Sequence, residues 1–394
     1  MPGSLHGYRI IDATQLISGP MATMILADQG ADVIKVEPPG TGDLTRALGG
    51  ARRGMAPIFA TTNRNKRSIV IDLKHTRGKV LLGRLVAGAD LFVQNFRPGS
   101  ADRMGMGEPA LRRIRPDLVY VSISGFGETG PYAHKRVYDP VIQALSGLAS
   151  IQGDARSGRP RMLRLIVPDK VTALTAAQAM TAALLARERT GQGQHVRLSM
   201  LDSVIAFLWP EGMARHTFIG ADIGSSRPPE VRDLVFETSD GYITTGAVSD
   251  AEWHGLTRAL GHPEWQNDPR FKTPAGRVKH ADARLELTGE VLKTRTSADW
   301  LERLDAEQVP CAPILSREQL IENVQVVANE LIVESEHPHA GRMRQTRPAA
   351  RFERTPSEIR LPAPVLGEHT ETILTELGLS AQEVAELKAR AVVA

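Results

Sequence analysis

Asp169 is the residue around which chemistry can be built. It closes the apolar run Leu163-Arg164-Leu165-Ile166-Val167-Pro168 and opens the alanine-rich stretch Val171 to Ala186. Pro168 biases the residue before it to extended backbone, and strong helix formers follow, so Asp169 stands where an N-cap would stand. Free N–H groups and the helix dipole favour an ionised carboxylate there, and such a carboxylate is a nucleophile toward an activated acyl group. Capping alone explains the same placement, so spacing leaves both roles open.

Other chemistry-bearing patterns fare worse. Gly125-Phe126-Gly127-Glu128-Thr129-Gly130 matches the dinucleotide fingerprint and follows a predicted strand. The fingerprint works only if a helix begins at once behind it, because the pyrophosphate sits on that helix N-terminus. Pro131 to Arg136 reads as a loop, and the next helix is expected only over Val141 to Ala149, which argues against a dinucleotide enzyme. The chain contains no phosphate-binding Walker loop, no GxSxG nucleophile elbow and no metal-ligand spacing. His337 and His339 flank a hairpin proline and read as surface residues. Cys311, between Pro310 and Pro313, reads as a small buried filler. Basic residues gather in the first half at Arg52-Arg53, Arg64, Lys66-Arg67, Lys74, Arg97, Arg103 and Lys135-Arg136. Several follow predicted strand ends, where doubly wound folds hold anionic ligands, so a phosphorylated ligand is expected among them.

The elements that must position these residues alternate. Strands are expected over Tyr8–Ala13, Ala31–Glu37, Ser68–Asp72, Asp90–Gln94, Leu118–Ser124 and Gln194–Ser199. Helices are expected over Met21–Gln29, Thr76–Ala87, Pro109–Arg113 and Val171–Ala186, and another from Met200. This pattern predicts an α/β fold with a doubly wound, mostly parallel sheet. Gly, Ser and Pro cluster between Gly220 and Arg232 as a linker or active-site loop. Two short strands around Ser239-Asp240-Gly241 and helices to Asp305 then suggest a smaller α/β domain, with Trp253, Trp265 and Trp300 packing it. Ser380-Ala381-Gln382-Glu383 is a capping box for the last helix. The expected division is a large domain over 1–205, a linker and small domain over 206–325, and a return to the large domain over 326–394.

The chain has 394 residues, enough for a substantial core, and 48 basic against 45 acidic side chains, a net charge of +3. That balance argues against a nucleic-acid partner. One cysteine excludes an internal disulfide framework and fits a reducing compartment. With no signal-like apolar stretch, and Arg187-Glu188-Arg189 interrupting the longest helix, a cytoplasmic protein without a membrane partner is expected.

The same segments carry a resemblance. Gly7 to Asp12, Ser18-Gly19-Pro20, Leu26 to Glu37, Asn65-Lys66-Arg67-Ser68 and Asn95-Phe96-Arg97-Pro98-Gly99 are similar to the class III CoA-transferases. The similarity runs on through Ser124 to Gly127, Tyr138-Asp139, Thr190 to Gly193, Pro310 to Pro313 and Gly367 to Thr370. It implies that Asp169 is the nucleophile. A carboxylate attacks the acyl-CoA thioester to give an aspartyl-acyl anhydride and CoA thiolate. The thiolate re-adds to make an aspartyl-CoA thioester, and an acceptor acid takes the CoA. The resemblance also implies that Ile17, Ser18, Ile71, Lys74, Asn95, Phe96, Arg97, Arg103, Met104, Arg136, Val137 and Tyr138 hold CoA. No metal and no tightly bound cofactor are implied; acyl-CoA and a carboxylic acid are the substrates, and the partner is a second copy in an interlocked, ring-like homodimer. Gly224-Ser225-Ser226 stands where a glycine loop closes over the site in formyl-CoA transferase, but is shorter and less glycine-rich than that loop. Pro38 replaces an adenine-side arginine of that enzyme and Ile17 a glutamine near its small-acid site, so a larger or more apolar acyl group than formyl or oxalyl is expected. Related α-methylacyl-CoA racemases carry a His where Tyr138 stands, and racemisation needs that second acid–base group. A non-catalytic acyl-CoA-binding protein would keep the basic positions without the nucleophile.

Overall fold

The computed structural model describes residues 1–154, 157–220 and 233–394. Two compact units make up the chain, one of residues 1–214 with 331–394 and the other of residues 215–330.

The larger unit is built on six parallel strands: β1 (Arg9–Ala13), β2 (Asp32–Glu37), β3 (Lys66–Val70), β4 (Leu91–Gln94), β5 (Val119–Ser124) and β6 (His195–Ser199), in the order 3-2-1-4-5-6. The order reverses between β1 and β4, which places a crevice at the carboxyl ends of those strands. Leu91-Phe92-Val93 and Val119-Tyr120-Val121 are buried on both faces, as strands of a covered parallel sheet must be. The helices are α1 (Ser18–Asp28), α2 (Pro57–Thr62), α3 (Thr76–Ala87), α4 (Ser100–Arg103), α5 (Glu108–Ile114), α6 (Asp139–Leu145), α7 (Leu148–Ile151), α8 (Val167–Thr190) and α9 (Met200–Gly212). On one face α3 buries Leu81, Leu82, Leu85 and Val86 against the sheet. On the other, α1 and α8 meet through Ala22, Leu26, Ala27, Ala173, Ala176, Ala177 and Ala183. The small side chains let the two helices approach closely. The C-terminal segment returns with the hairpin of β10 (Ile332–His337) and β11 (Gly341–Thr346), followed by α16 (Thr370–Glu376) and α17 (Ala381–Ala389).

In the smaller unit, β7 (Val235–Glu237), β8 (Tyr242–Thr245) and β9 (Cys311–Pro313) form an antiparallel sheet. The helices there are α10 (Asp250–Ala259), α11 (Pro274–Lys279), α12 (Ala281–Leu292), α13 (Ser297–Ala306), α14 (Arg317–Glu322) and α15 (Val324–Ala328). Trp253 and Trp300 are fully buried in its core, with Trp265 packed against it.

Several expectations need correction. Asp169 is not the N-cap of α8: Ile166 holds that position without a side-chain cap, and Asp169 lies inside the first turn after Pro168. Proline at the second helical position costs no hydrogen bond, so the helix starts two residues before Asp169. The single helix expected over Val141 to Ala149 is two, broken at Gly147 with φ 88°. His337 is buried; its Nδ1 accepts the amides of His339 and Ala340, so its Nε2–H donates to the Ala363 carbonyl and closes the hairpin turn. Cys311 is only half-buried, and burial pushes its thiol pKa up, away from a nucleophilic thiolate. Gly224-Ser225-Ser226 lies outside the described residues.

Candidate functional site

Ser18 and Asp169 meet at the crevice. The turn from β1 into α1 carries Leu16 at φ 69°, a left-handed conformation that costs a branched residue of order 1–3 kcal/mol. Its neighbours hold it there. The Asn95 amide donates to the Gln15 carbonyl at 2.7 Å and accepts the Gln15 N–H at 2.9 Å, while Asp43 accepts the Leu16 N–H at 3.2 Å. Beneath the turn, Lys66 donates to the Pro20 carbonyl, Asn63 and Asp12, and Lys35 donates to the Thr14 carbonyl and pairs with Asp43 at 2.8 Å. Burial outweighs these partners for Lys66 and lowers its pKa to about 8.

Held in this way, the Ser18 hydroxyl donates to Asp169 Oδ1 at 2.5 Å. The Asp169 N–H donates to Asp139 Oδ2 at 3.3 Å. Burial pushes the Asp169 carboxyl pKa up and the nearby Asp139 charge adds to it, against hydrogen bonds from Ser18 that pull it down. Asp139 is raised by burial as well. The expectation that the helix start favours ionisation is therefore outweighed, and the result is a more basic carboxylate.

Asp169 lines a cavity of about 130 Å³ with Ser18, Asn95, Lys135, Tyr138 and Asp139 on its wall. A second cavity of about 450 Å³ shares Phe96, Arg97, Pro98, Ile123 and Ser124 with the first. Its polar floor is Ser122, which donates to Glu128 at 2.7 Å and lies 2.9 Å from His195 Nε2. Gly125 allows the first cavity's wall to close, since a Cβ there would lie 2.3 Å from Val137.

The structure brings most of the expected residues together and leaves others apart. Ser18, Asn95, Phe96, Arg97, Val137 and Tyr138 line the cavity that holds Asp169, and Arg103 the adjoining one. Ile17 is buried at the start of α1. Met104 packs against the core beside α4. Ile71 is wholly buried, Lys74 is exposed beyond β3, and Arg136 is exposed beside Val137; none of these three lines either cavity. Of the other basic residues, Arg64 is paired with Asp28 and Arg67 with Asp32, so they brace the fold rather than wait for phosphate. Sequence pattern did not single out Asp139 as a partner of Asp169, although Asp-Pro at a helix start is a readable signal.

A doubly wound sheet with a buried carboxylate, more basic than usual, in the crevice at its switch point defines an α/β protein whose site suits acyl transfer. Residues 5–370 match the family model for CoA-transferase family III. A mouse succinyl-CoA:glutarate CoA-transferase is 35% identical, over 95% of this chain and 86% of its own length. A formyl-CoA:oxalate CoA-transferase of Rhodopseudomonas palustris is 33% identical, over 98% and 96%. Among solved structures, a CAIB/BAIF family protein from Brucella suis superposes with a TM-score of 0.82 at 31% identity, covering 96% of this chain and all of that one. The chain belongs to CoA-transferase family III and is an enzyme of that class. No helix among the described residues is long and apolar enough to cross a membrane.

Proposed function

We propose that this enzyme moves CoA from an acyl-CoA thioester to a carboxylic acid through covalent intermediates on Asp169. The observation that carries the reading is the Asp169 carboxylate itself, oriented by Ser18 on the wall of a cavity at the sheet's switch point and made more basic by burial. One carboxylate oxygen attacks the thioester carbon; the C–S bond breaks and CoA leaves as thiolate, giving a mixed anhydride. The thiolate attacks the aspartyl carbonyl, releasing the donor acid and forming an aspartyl-CoA thioester. The acceptor carboxylate then attacks that thioester, and the departing thiolate attacks the acceptor's carbonyl carbon, returning Asp169 as carboxylate. No net proton is consumed, so the cycle needs no separate acid or base.

Arg97, on the wall common to both cavities, and Arg103 suit CoA phosphates, with Phe96 and Val137 for the apolar parts of the ligand. Ile17, Ile71, Lys74, Met104 and Arg136, which lie outside the two cavities, are assigned to CoA by the family resemblance alone. The enzyme acts as a homodimer, and the exposed apolar side chains Leu165, Leu174, Leu185, Phe207 and Trp209, on and before α8 and along α9, support a partner. Its single cysteine supports a reducing, cytoplasmic setting. The test is intact mass spectrometry after incubation with a panel of acyl-CoA donors and hydroxylamine. A donor-dependent hydroxamate at Asp169, absent from Asp169→Ala, is expected; no adduct with any donor would overturn the reading. Sedimentation as a monomer would remove the dimer.

A further inference from the structure

The first turn of α8 has an unusual cap. Helix starts leave amides without intrahelical partners, and a polar side chain at the N-cap ordinarily takes one. Ile166 has no polar side chain, and the Asp169 N–H is instead taken by Asp139 Oδ2 from the start of α6. Asp139 is itself tied down. Its Oδ1 accepts from Gln143 Nε2 at 2.6 Å; Gln143 Oε1 accepts the Leu163 N–H at 2.9 Å and Nε2 also donates to the Leu165 carbonyl at 3.2 Å. Both side chains are buried, at 4% and 2% exposure, so these bonds are shielded from competing water.

We propose that Asp139 and Gln143 are positioning residues for the transfer reaction: a buried carboxylate and carboxamide strut that caps α8 from another helix and fixes where its first turn presents Asp169 to the acyl carbon. The inference rests on Asp169 as the nucleophile. Capping alone needs only a polar oxygen, which Ser, Thr or Asn supplies without a second negative charge beside Asp169. A carboxylate here adds repulsion that makes the nucleophile more basic, a use that a purely architectural cap lacks. The charged and titratable groups near this pair are Lys170 on α8, Lys135 and Tyr138 before α6, and Arg97 after β4; from α1 the Ser18 hydroxyl faces it.

The experiment uses the full chain with whichever acyl-CoA of the panel labels the wild-type enzyme, followed by the rate of hydroxamate trapping across pH at a constant concentration of free-base hydroxylamine and by amide exchange of the peptide spanning Leu163 to Thr172. Asp139→Ala is expected to slow trapping about 10–100-fold, from a misplaced nucleophile, with little change in the KM for that donor, and to speed exchange at Asp169. Asp139→Asn keeps the shape and one acceptor while removing the charge, so it is expected to fold and to move the acid limb of the trapping profile to lower pH. Gln143→Leu is expected to speed the same exchange and slow trapping. Wild-type trapping and exchange in Asp139→Ala, or an unmoved acid limb in Asp139→Asn, would overturn the proposal while leaving the nucleophile standing. Absence of trapping in the wild-type enzyme with every donor of the panel would instead remove the reading on which it rests.

Discussion

Replacing Asp169 by Asn should give a dead enzyme that is more stable than the living one. Two effects oppose each other in the structure. Burial and the Asp139 charge disfavour the ionised Asp169, while the Ser18 hydroxyl favours it. An Asn carbonyl still accepts from Ser18, so the substitution only weakens a charge-assisted bond to a neutral one, a loss of about 1 kcal/mol. Against this, the desolvation and like-charge costs vanish altogether. These must exceed the Ser18 contribution, because the net direction of the carboxyl pKa is upward. A net gain of about 0.5–2 kcal/mol follows, the usual size when a strained functional group is replaced.

The pH dependence follows from the same direction. With the folded pKa above the unfolded one, the folded chain holds the proton longer, and stability falls as pH rises from the unfolded value of 3.8 through the folded pKa. Above that window the wild-type enzyme carries the full cost of the charge, and below about pH 4 it carries none. Denaturant unfolding of both proteins at pH 7 and at pH 4 should show the Asn variant ahead at the higher pH and level at the lower. An Asn variant no more stable than wild type at pH 7 would refute this balance between burial, charge repulsion and the Ser18 hydrogen bond, whatever its activity.

Gly125→Ala should raise the KM for acyl-CoA several-fold with a smaller effect on stability, because its Cβ would push Val137 into the cavity that holds Asp169; steady-state kinetics decide this. Lys66→Met leaves Asp12 buried with one of its cations gone, and should cost about 3–5 kcal/mol in denaturant titration while loosening the turn that carries Ser18. Arg97→Ala should weaken CoA binding and flatten its dependence on salt, measured by calorimetry at two ionic strengths.

Much of this architecture is legible in local pattern. Helix α3 matches its expected bounds because an amphipathic stripe runs between a capping His75 and Gly88. The capping box at Ser380 and the turn at Ser239-Asp240-Gly241 also form as read, since each depends on residues three or four apart. The loop after Gly130 likewise removes the dinucleotide alternative, with α6 delayed to Asp139. Local pattern misjudges Asp169 by treating it as a cap, because Pro168 is accommodated inside the first turn rather than ending the extended segment. It also misreads His337, which is buried and bonded to the Ala363 carbonyl twenty-six residues away.

What the sequence determined by itself was the alternation of strands and helices, and a carboxylate where a long helix begins; both follow from periodicity and chain stiffness over a few residues. Tertiary structure alone decided the environment of that carboxylate. Ser18 lies 151 residues from Asp169 and Asp139 thirty, and the basicity of Asp169 is the balance of burial, a hydroxyl and a second charge that only the assembled crevice brings within bonding distance. The same holds for the basic residues. Arg64, Lys66, Arg67 and Arg97 look alike along the chain, yet long-range pairing commits the first three to Asp28, Asp12 and Asp32 and leaves Arg97 on the cavity wall. Electrostatic interaction depends on distance and dielectric, and the order of residues specifies neither until the fold has closed.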